Sequence, residues 1–251
     1  MIPASQTEFD PDELDSAYPP GIEKHFWTLA RSKIIEAHLR KLPEKGGRII
    51  EIGCGRGLMV SYLRGRGLDC HGVELSATPV PETLQPFVAT GLDARDVPES
   101  MRLSVRTVML LDVIEHLPDP VAFLSGILAS YPRARHLLVT VPARRELWSN
   151  YDEFYRHFRR YEPDMLRETF VQAHCKPVWI GYAFHLLYPV MRLAKARGGR
   201  TTKLRAPTGL AAVLHALLAQ AFFWESVALP RRIYGTSLLG LARIQPAGET
   251  G

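Results

Sequence analysis

The feature that most constrains the fold of this chain is an apolar strand that leads directly into closely spaced glycines. Residues 48–52 read Arg-Ile-Ile-Glu-Ile, and Gly53, Gly55 and Gly57 follow at alternate positions. Glycine lets the backbone turn sharply and lets a ligand lie directly against main-chain N–H groups. A strand, a glycine turn and then a helix predict a ligand site at the carboxyl end of the first strand of an α/β sheet.

Short apolar runs alternate with helical stretches along most of the chain. The apolar residues of 23–42 recur at helical spacing and predict a first helix, stopped by Pro43, Gly46 and Gly47. We predict strands at 48–53, 68–75, 86–90, 107–113, 136–141, 178–183 and 236–244. We predict helices near 57–66, 78–84, 119–131 and 163–174. The fold class is therefore α/β: a Rossmann-like, seven-stranded, mainly parallel sheet with helices on both faces and a helical insertion before the last strand.

The chain is expected to form one domain over residues 1–251, with an acidic N-terminal arm at 1–22 and a basic helical insertion at 185–232. Its first 16 residues carry five acids and no base, so they lack the pattern of a secretory signal. Three cysteines without a CxxC pair indicate reduced thiols and a cytoplasmic protein.

An acidic residue before the glycines indicates which of two classes of ligand the loop would bind. In a GxGxxG dinucleotide motif the third glycine would fall on Leu58, whereas here Glu51 stands two residues before Gly53. A carboxylate does not help to hold a pyrophosphate, but it favours a ligand with an ammonium and a sulfonium group. Glu74, at the end of the second predicted strand, could accept hydrogen bonds from both hydroxyls of a ribose. The sequence thus favours a cationic adenosine ligand over a nicotinamide dinucleotide.

Four ordered motifs carry a family resemblance. Residues 51–57 resemble motif I of the class I S-adenosylmethionine-dependent methyltransferases, and Gly-Val-Glu-Leu-Ser at 72–76 resembles the acidic loop that follows it. Residues 108–117, ending in Glu-His-Leu, resemble the fourth-strand motif, and Val-Thr-Val-Pro at 139–142 resembles the fifth strand. The chain is most similar to the bacterial small-molecule branch that includes ubiquinone-type O-methyltransferases.

The resemblance implies S-adenosylmethionine as cofactor and S-adenosylhomocysteine as product. Glu51, Gly53 and Gly55 would hold the methionine half, together with the backbone near Cys54. The other cofactor-binding residues that it implies lie after later strands: Glu74 on the ribose, Leu75 on the adenine, Asp93 (with Asp96 as the competing choice) beside the adenine amino group, and Leu111 and Asp112 as the floor beneath the sulfonium. Cys54 is expected to be a small side chain that fits the loop, since no base partner for a catalytic thiol is evident.

The first predicted helix contains Trp27 and Arg31 in a pattern similar to a segment that precedes motif I in relatives. An aromatic face there could cover the cofactor and favour its sulfonium through cation–π contact. The alternative is an ordinary amphipathic helix packed on the sheet edge.

Three residues are candidates for acceptor chemistry. A hydroxyl acceptor benefits from a general base, and histidine is the usual one near neutral pH. Of the nine histidines, His116 follows the fourth strand, and His157 lies in a run that resembles the acceptor border of related enzymes. Asp152 could orient a histidine or bind an acceptor amine. The alternatives are a loop-fixing role for His116 and a surface turn for His157. No metal site is expected, because the acids and histidines lack a ligand spacing such as HExxH.

The insertion is basic and apolar. Between Glu168 and Glu225 there are seven Lys or Arg residues and no acid, and an uncharged run covers 209–224. Three interpretations remain open: a lid over the acceptor, an element on an anionic membrane surface, or a solvated loop between core-packing helices. The uncharged run of 16 residues is shorter than a bilayer span, so no transmembrane helix is predicted.

The sequence therefore predicts methyl transfer from S-adenosylmethionine to a small-molecule acceptor, at an oxygen of an apolar, lipid-like or glycan-linked compound. The alternatives are a nicotinamide-dependent oxidoreductase, a non-catalytic S-adenosylmethionine-binding protein and a peripheral membrane adaptor. Nucleic acid is not expected as a partner, since residues 112–115 lack the Asn/Asp-Pro-Pro-aromatic motif of base methyltransferases. We expect a cytoplasmic location, either free or against the inner membrane surface.

Overall fold

The computed structural model of this protein describes residue 16 and residues 18–42, 47–197 and 205–245. The strands in this part of the chain are β1 (Arg48–Ile52), β2 (Cys70–Glu74), β3 (Val88–Thr90), β4 (Val105–Leu111), β5 (His136–Pro142), β6 (Cys175–Ala183) and β7 (Ser237–Ile244). The α-helices are α1 (Phe26–Leu39), α2 (Leu58–Gly65), α3 (Glu99–Ser104), α4 (Pro120–Ser130), α5 (Asn150–Phe154), α6 (Pro163–Gln172), α7 (Leu187–Ala196) and α8 (Gly209–Ala228).

The strands form one seven-stranded sheet in the order β3-β2-β1-β4-β5-β7-β6. The first five strands are parallel, and β7 runs antiparallel to both β5 and β6. The predicted Rossmann-like fold is confirmed. The strand order reverses between β1 and β4, and such a reversal opens a crevice at the carboxyl ends of the two strands.

Helices cover both faces of the sheet. Along β4, Val108 and Leu110 pack into the core on the side of α4 and α6, while Met109 and Leu111 pack into the core on the side of α1, α2 and α8. Successive side chains of a strand point to opposite faces, so a strand buried on both faces is apolar throughout. This explains why residues 108–111 of β4 form an uninterrupted apolar run.

Residues 78–84 were predicted to be helical, and this prediction is wrong. The segment is irregular apart from a single 3₁₀ turn at Glu82–Leu84. Pro79 and Pro81 lack an N–H donor, and each disfavours helical geometry in the residue before it. Two short helices were not predicted: α3 follows Pro98, and α5 begins at the capping residue Ser149.

The predicted pair of helices in the insertion is present as α7 and α8. The apolar stripe of α8, formed by Leu210, Val213, Leu214, Leu217 and Leu218, faces away from the domain, since Leu214 is 57% and Leu217 is 65% exposed. The opposite face, with the buried residues Ala219, Phe222 and Glu225, packs on the domain. Of the three interpretations of the insertion, the one in which its helices pack on the core therefore applies only to this inner face of α8. Residues 198–204, which connect the two helices, lie outside the described residues.

Helix α8 is the one helix, among the residues that the structure describes, that is long and apolar enough to cross a membrane by length and composition alone. It is attached to the domain by polar contacts. The carboxylate of Glu225 accepts hydrogen bonds from the backbone N–H groups of His185 and Leu186. Lys33 donates to Gln220 at 2.7 Å. These contacts place α8 along the side of the domain, with its apolar stripe uncovered.

Candidate active site

A cavity of about 290 Å³ opens at the carboxyl ends of the central strands. Its walls come from α1, the glycine loop, the ends of β4 and β5, the segment around α5, and α7. Among the lining residues are Trp27, Arg31, Glu51, Gly53, Cys54, Leu111, Asp112, His116 and His157. Nine of the predicted site residues therefore share one cavity, which lies at the point where the strand order reverses.

The glycine loop forms one wall of this cavity. Gly53 and Gly55 have φ angles of 74° and 53°, in the left-handed region that favours glycine. A Cβ atom at Gly53 would lie 2.8 Å from a methyl carbon of Val113. The adjacent Cys54 is buried, and burial raises the pKa of its thiol well above its usual value. Cys54 thus fits the loop as a small side chain, and an inert thiol is the physical expectation.

Glu51 places a carboxylate inside the cavity. Its side chain is only 4% exposed, and Oε2 has no hydrogen-bond partner among the described residues. Burial raises the pKa of Glu51 to about 8, although Arg31 acts in the opposite direction. A buried carboxyl oxygen without a partner is costly unless a ligand supplies one. The residue therefore fits a ligand that brings an ammonium group.

Glu74 supports the glycine loop from behind. Its carboxylate accepts hydrogen bonds from the backbone N–H of Gly55 at 2.8 Å and of Ser76 at 3.1 Å. It does not line the cavity, and neither do Leu75 and Asp93. The contacts predicted for these three residues with the ribose and the adenine remain predictions.

Asp93 has a partner of its own. It forms an ion pair with Arg95 at 2.5 Å, and the hydrogen bonds from Arg95 lower the pKa of the Asp93 carboxyl.

Trp27 and Arg31 join α1 to the ends of two strands. Arg31 donates to Asp112 at 2.5 Å and to Thr140 at 3.1 Å. Its guanidinium lies 5.0 Å from the Trp27 ring, which stacks on Phe184. Both residues line the cavity and also pack the helix against the sheet. The two interpretations of this helix are thus compatible.

Tyr18 is a site residue that the sequence analysis did not identify. Its ring comes within 2.8 Å of the position that a Cβ atom would take on Gly55, and its carbonyl accepts a hydrogen bond from Arg56. Burial, followed by the charge of Glu51, raises the pKa of the Tyr18 phenol. The residue had been assigned to the acidic arm at 1–22, whose residues 1–15 and 17 lie outside the described part. The only feature of the sequence that could have pointed to Tyr18 is that it is an aromatic residue directly before Pro19.

A buried ionic network lies beside the part of the cavity that His116 and His157 line, which is called the acceptor end below after the sequence-based expectation. His157 Nδ1 lies 2.9 Å from Asp152 Oδ1, and Arg160 Nε donates to the same oxygen at 2.7 Å. Asp152 is fully buried. Burial by itself would raise the pKa of Asp152, but the hydrogen bonds from His157 and Arg160 outweigh it and lower the pKa to about 2. Of the two roles considered for Asp152, the geometry favours the orientation of a histidine.

His116 and Glu115 complete this end. The ring of His116 is edge-on to that of His157, with centroids 4.6 Å apart. Burial, followed by the proximity of His157, lowers the pKa of His116 to about 3, so the imidazole is neutral. Glu115 is completely buried, and burial, followed by the charge of Asp112, raises the pKa of its carboxyl. The sequence analysis had not singled out Glu115, and its position directly before His116 was the only signal.

The sequence of this chain matches a family profile and several individual proteins. The profile of a family described as a methyltransferase domain matches residues 26–178. The ubiquinone biosynthesis O-methyltransferase of Pseudomonas aeruginosa (strain UCBPP-PA14) is 30% identical over 101 residues, which cover 38% of this chain and 40% of that protein. The enzyme of the same name from Dechloromonas aromatica (strain RCB) is 28% identical over 82 residues, 30% and 35% of the two chains. The match spans two fifths or less of these relatives.

Solved structures are similar over most of the chain. A plantazolicin methyltransferase in complex with S-adenosylhomocysteine has a TM-score of 0.58 at 14% identity, covering 96% of this chain and 94% of that one. A geranyl diphosphate methyltransferase in complex with GPP and sinefungin has a TM-score of 0.52 at 15% identity, covering 85% and 76%. The magnesium protoporphyrin IX methyltransferase of Synechocystis PCC 6803 also has a TM-score of 0.52 at 15% identity, covering 93% of each chain. At these identities the likeness shows a shared fold.

Proposed function

This chain belongs to the class I S-adenosylmethionine-dependent methyltransferases, and from that membership we propose that it methylates an oxygen of an apolar, lipid-like small molecule. The family predicted from the four motifs is confirmed, and with it S-adenosylmethionine as the cofactor. No finding supports the nicotinamide-dependent alternative. The identity of the acceptor is the part that we propose.

The observation that carries the proposal is a single cavity with two chemically different ends. At one end, the unpartnered oxygen of Glu51 can hold the ammonium group of the cofactor, and Gly53 and Cys54 line the cavity beside it. At the other end, His116 and His157 line the cavity, where they could contact an acceptor. When bound, S-adenosylmethionine supplies an electrophilic methyl group. The protein's part is to align the acceptor with that group, and alignment alone can supply much of the acceleration.

The acceptor end can activate a hydroxyl group. Asp152 bonds Nδ1 of His157 and so orients a ring that lines the cavity. His116 is neutral, so it does not repel a proton that leaves the acceptor. These side chains are the means by which the protein lowers the cost of removing the acceptor's proton.

An apolar acceptor is supported by the position of α7. Leu187 and Met191 of this helix line the cavity. The insertion therefore contributes an apolar wall to the cavity, as a lid over a lipid-like molecule would. This favours the lipid-like acceptor among the classes considered from the sequence.

The proposal is tested by calorimetric titration of the purified chain with S-adenosylhomocysteine. We expect one ligand per chain, and at least about tenfold weaker binding by Glu74→Ala, because this variant loses the charge-assisted hydrogen bonds that hold Gly55. Glu82→Ala, an exposed acid at the start of a 3₁₀ turn, is the matched control and should bind as the wild type does. A folded wild-type chain that does not bind the ligand would contradict the proposal.

We also propose that the insertion rests on an anionic membrane surface, from which a lipid-like acceptor would enter. Exposed apolar side chains extend over both helices: Leu186, Val190, Leu193, Leu210, Val213, Leu214, Leu217, Leu218, Trp224 and Val227. The insertion also contains the exposed basic residues Arg192, Arg197, Arg205, Arg231 and Arg232. Apolar burial together with attraction to anionic lipids is the way in which amphipathic helices bind an interface.

Vesicle sedimentation tests this contact. The chain should sediment with vesicles that contain phosphatidylglycerol, and less so with pure phosphatidylcholine or at high salt. The double variant Leu214→Asp/Leu217→Asp should bind at least about tenfold more weakly, because two exposed leucines no longer enter the apolar layer. Val171→Asp is the matched control, since this side chain is 57% exposed but lies on α6, on the other face of the sheet. Equal sedimentation of the double variant and the control would contradict the proposal.

A further inference from the structure

Three potential metal ligands meet at the acceptor end of the cavity. Glu115, His116 and His157 each offer one ligand atom, and these atoms all lie within 4.8 Å of one another. Glu115 and His116 belong to the 3₁₀ turn after β4, whereas His157 follows α5. All three line the cavity. No linear spacing of the HExxH kind could have indicated this group, because folding brings its members together from two segments.

Glu115 gives this group a reason to bind a cation. Its side chain is fully buried, and neither Oε1 nor Oε2 is hydrogen-bonded to another residue in the part of the chain that the structure describes. Buried charges in proteins are normally paired or bound to a metal, since an isolated carboxylate in a dry site is very costly. A cation in the cavity would supply the missing partner for both oxygens.

The two histidines are already held in the manner of metal ligands. A ligating histidine usually donates its other ring N–H to a carboxylate or a backbone carbonyl, which fixes the ring and its tautomer. His157 has the Asp152 carboxylate at Nδ1, and Arg160 holds that carboxylate in turn. The ring of His116 forms a hydrogen bond with the backbone of Tyr155. Each ring is therefore oriented by a hydrogen bond, and each offers one ligand atom to the group.

We propose that Glu115, His116 and His157 bind a divalent transition-metal ion of the Zn²⁺ type at the acceptor end of the cavity. Two imidazoles and one carboxylate form a catalytic zinc set that leaves positions open for a water or a substrate oxygen. The same ligands disfavour Mg²⁺, which prefers an all-oxygen shell.

Such an ion would define the acceptor more closely, and this step rests on the proposed methyl transfer. The ion would lower the pKa of a hydroxyl group bound to it, so that the proton could pass to water, and the two imidazoles would then act as ligands and not as bases. The resulting oxygen anion forms the new bond to the methyl carbon while the bond from that carbon to sulfur breaks, and sulfur keeps the electron pair. The acceptor would be a molecule whose hydroxyl can reach the metal.

The experiment is a calorimetric titration of the metal-free full-length chain with Zn²⁺, repeated with Co²⁺ so that visible absorption reports the ligand set. We expect one ion per chain and no comparable binding of Mg²⁺. Both Glu115→Gln and His157→Gln should bind at least about 10–100-fold more weakly, since that is the usual loss when only a residue behind a ligand is changed. The matched control is His174→Asn. His174 is exposed with a φ of 55°, which asparagine tolerates, so this variant should bind as the wild type does.

Each variant is also titrated with S-adenosylhomocysteine, which shows that the variant is folded. Two results overturn the metal site: a wild-type chain that binds no stoichiometric Zn²⁺, or unchanged Zn²⁺ binding in either folded variant. The proposed function is judged separately. Binding of S-adenosylhomocysteine without Zn²⁺ removes only the metal, whereas a folded wild-type chain that binds no S-adenosylhomocysteine removes the methyltransferase proposal.

Discussion

Replacement of Asp152 by alanine is expected to lower the free energy of unfolding by about 3–5 kcal/mol. Asp152 is fully buried and is bound to Arg160 at 2.7 Å and to His157 at 2.9 Å. The same carboxylate accepts the backbone N–H of Ser149 and so completes the capping box of α5. Without it, the charge of Arg160, which is only 5% exposed, stays buried with no carboxylate beside it.

Urea denaturation followed by circular dichroism measures this loss. Glu153→Ala is the matched control, because Glu153 is the next residue on the same helix but is exposed. That variant should stay within about 0.5 kcal/mol of the wild type. If Asp152→Ala were no less stable than Glu153→Ala, the ionic network would not stabilise the acceptor end as the geometry indicates.

The affinity for S-adenosylhomocysteine is expected to increase steeply with pH, by roughly tenfold per unit between about pH 6 and about pH 8. The reason is Glu51, whose burial raises its pKa to about 8. Below that pH the free protein holds the proton on Glu51, whereas the ammonium group of the ligand requires the carboxylate. Binding must then displace one proton, so a higher pH favours the complex until Glu51 is ionised without the ligand.

Calorimetry at several pH values, in buffers of different ionisation enthalpy, measures both the affinity and the number of protons released. Glu51→Gln should bind weakly and with no dependence on pH in this range, because the amide does not titrate. Release of close to one proton near pH 6 by the wild type would support the assignment of Glu51 to the ammonium group. An affinity that stays constant from about pH 6 to about pH 8 would contradict it.

Much of the fold could be predicted because its elements have strong local signals. The strand Arg48–Ile52 and the glycines after it were recognisable from a few adjacent residues, and β4 from its continuous apolar run. The wrong helix prediction at 78–84 shows that segment length and residue pattern are not enough to predict a helix. Two prolines within the segment prevent one. Helix α3, with six residues, is too short to show a period.

One end of the candidate site could be predicted from the sequence, and the other could be predicted only in part. The cofactor end is formed largely by one strand and its glycine loop, so adjacent residues such as Glu51 and Gly53 revealed it. The acceptor end is assembled from the turn after β4 and the segment after α5. Glu115 becomes a candidate site residue only because folding brings it close to His157. Tyr18 likewise belongs to the site only because the chain before α1 folds back over Gly55.

The sequence by itself determined the order of the strands and of the longer helices along the chain, the mainly parallel sheet, the glycine loop and the family, because local periodicity and backbone requirements act over a few residues. Only the tertiary structure decided which side chains meet in the cavity and which way the apolar stripe of α8 faces. The period of 3.6 shows that a helix has an apolar side, but not whether that side meets the core. That choice depends on the inner contacts of Phe222 and Glu225, which leave Leu214 and Leu217 on the outside.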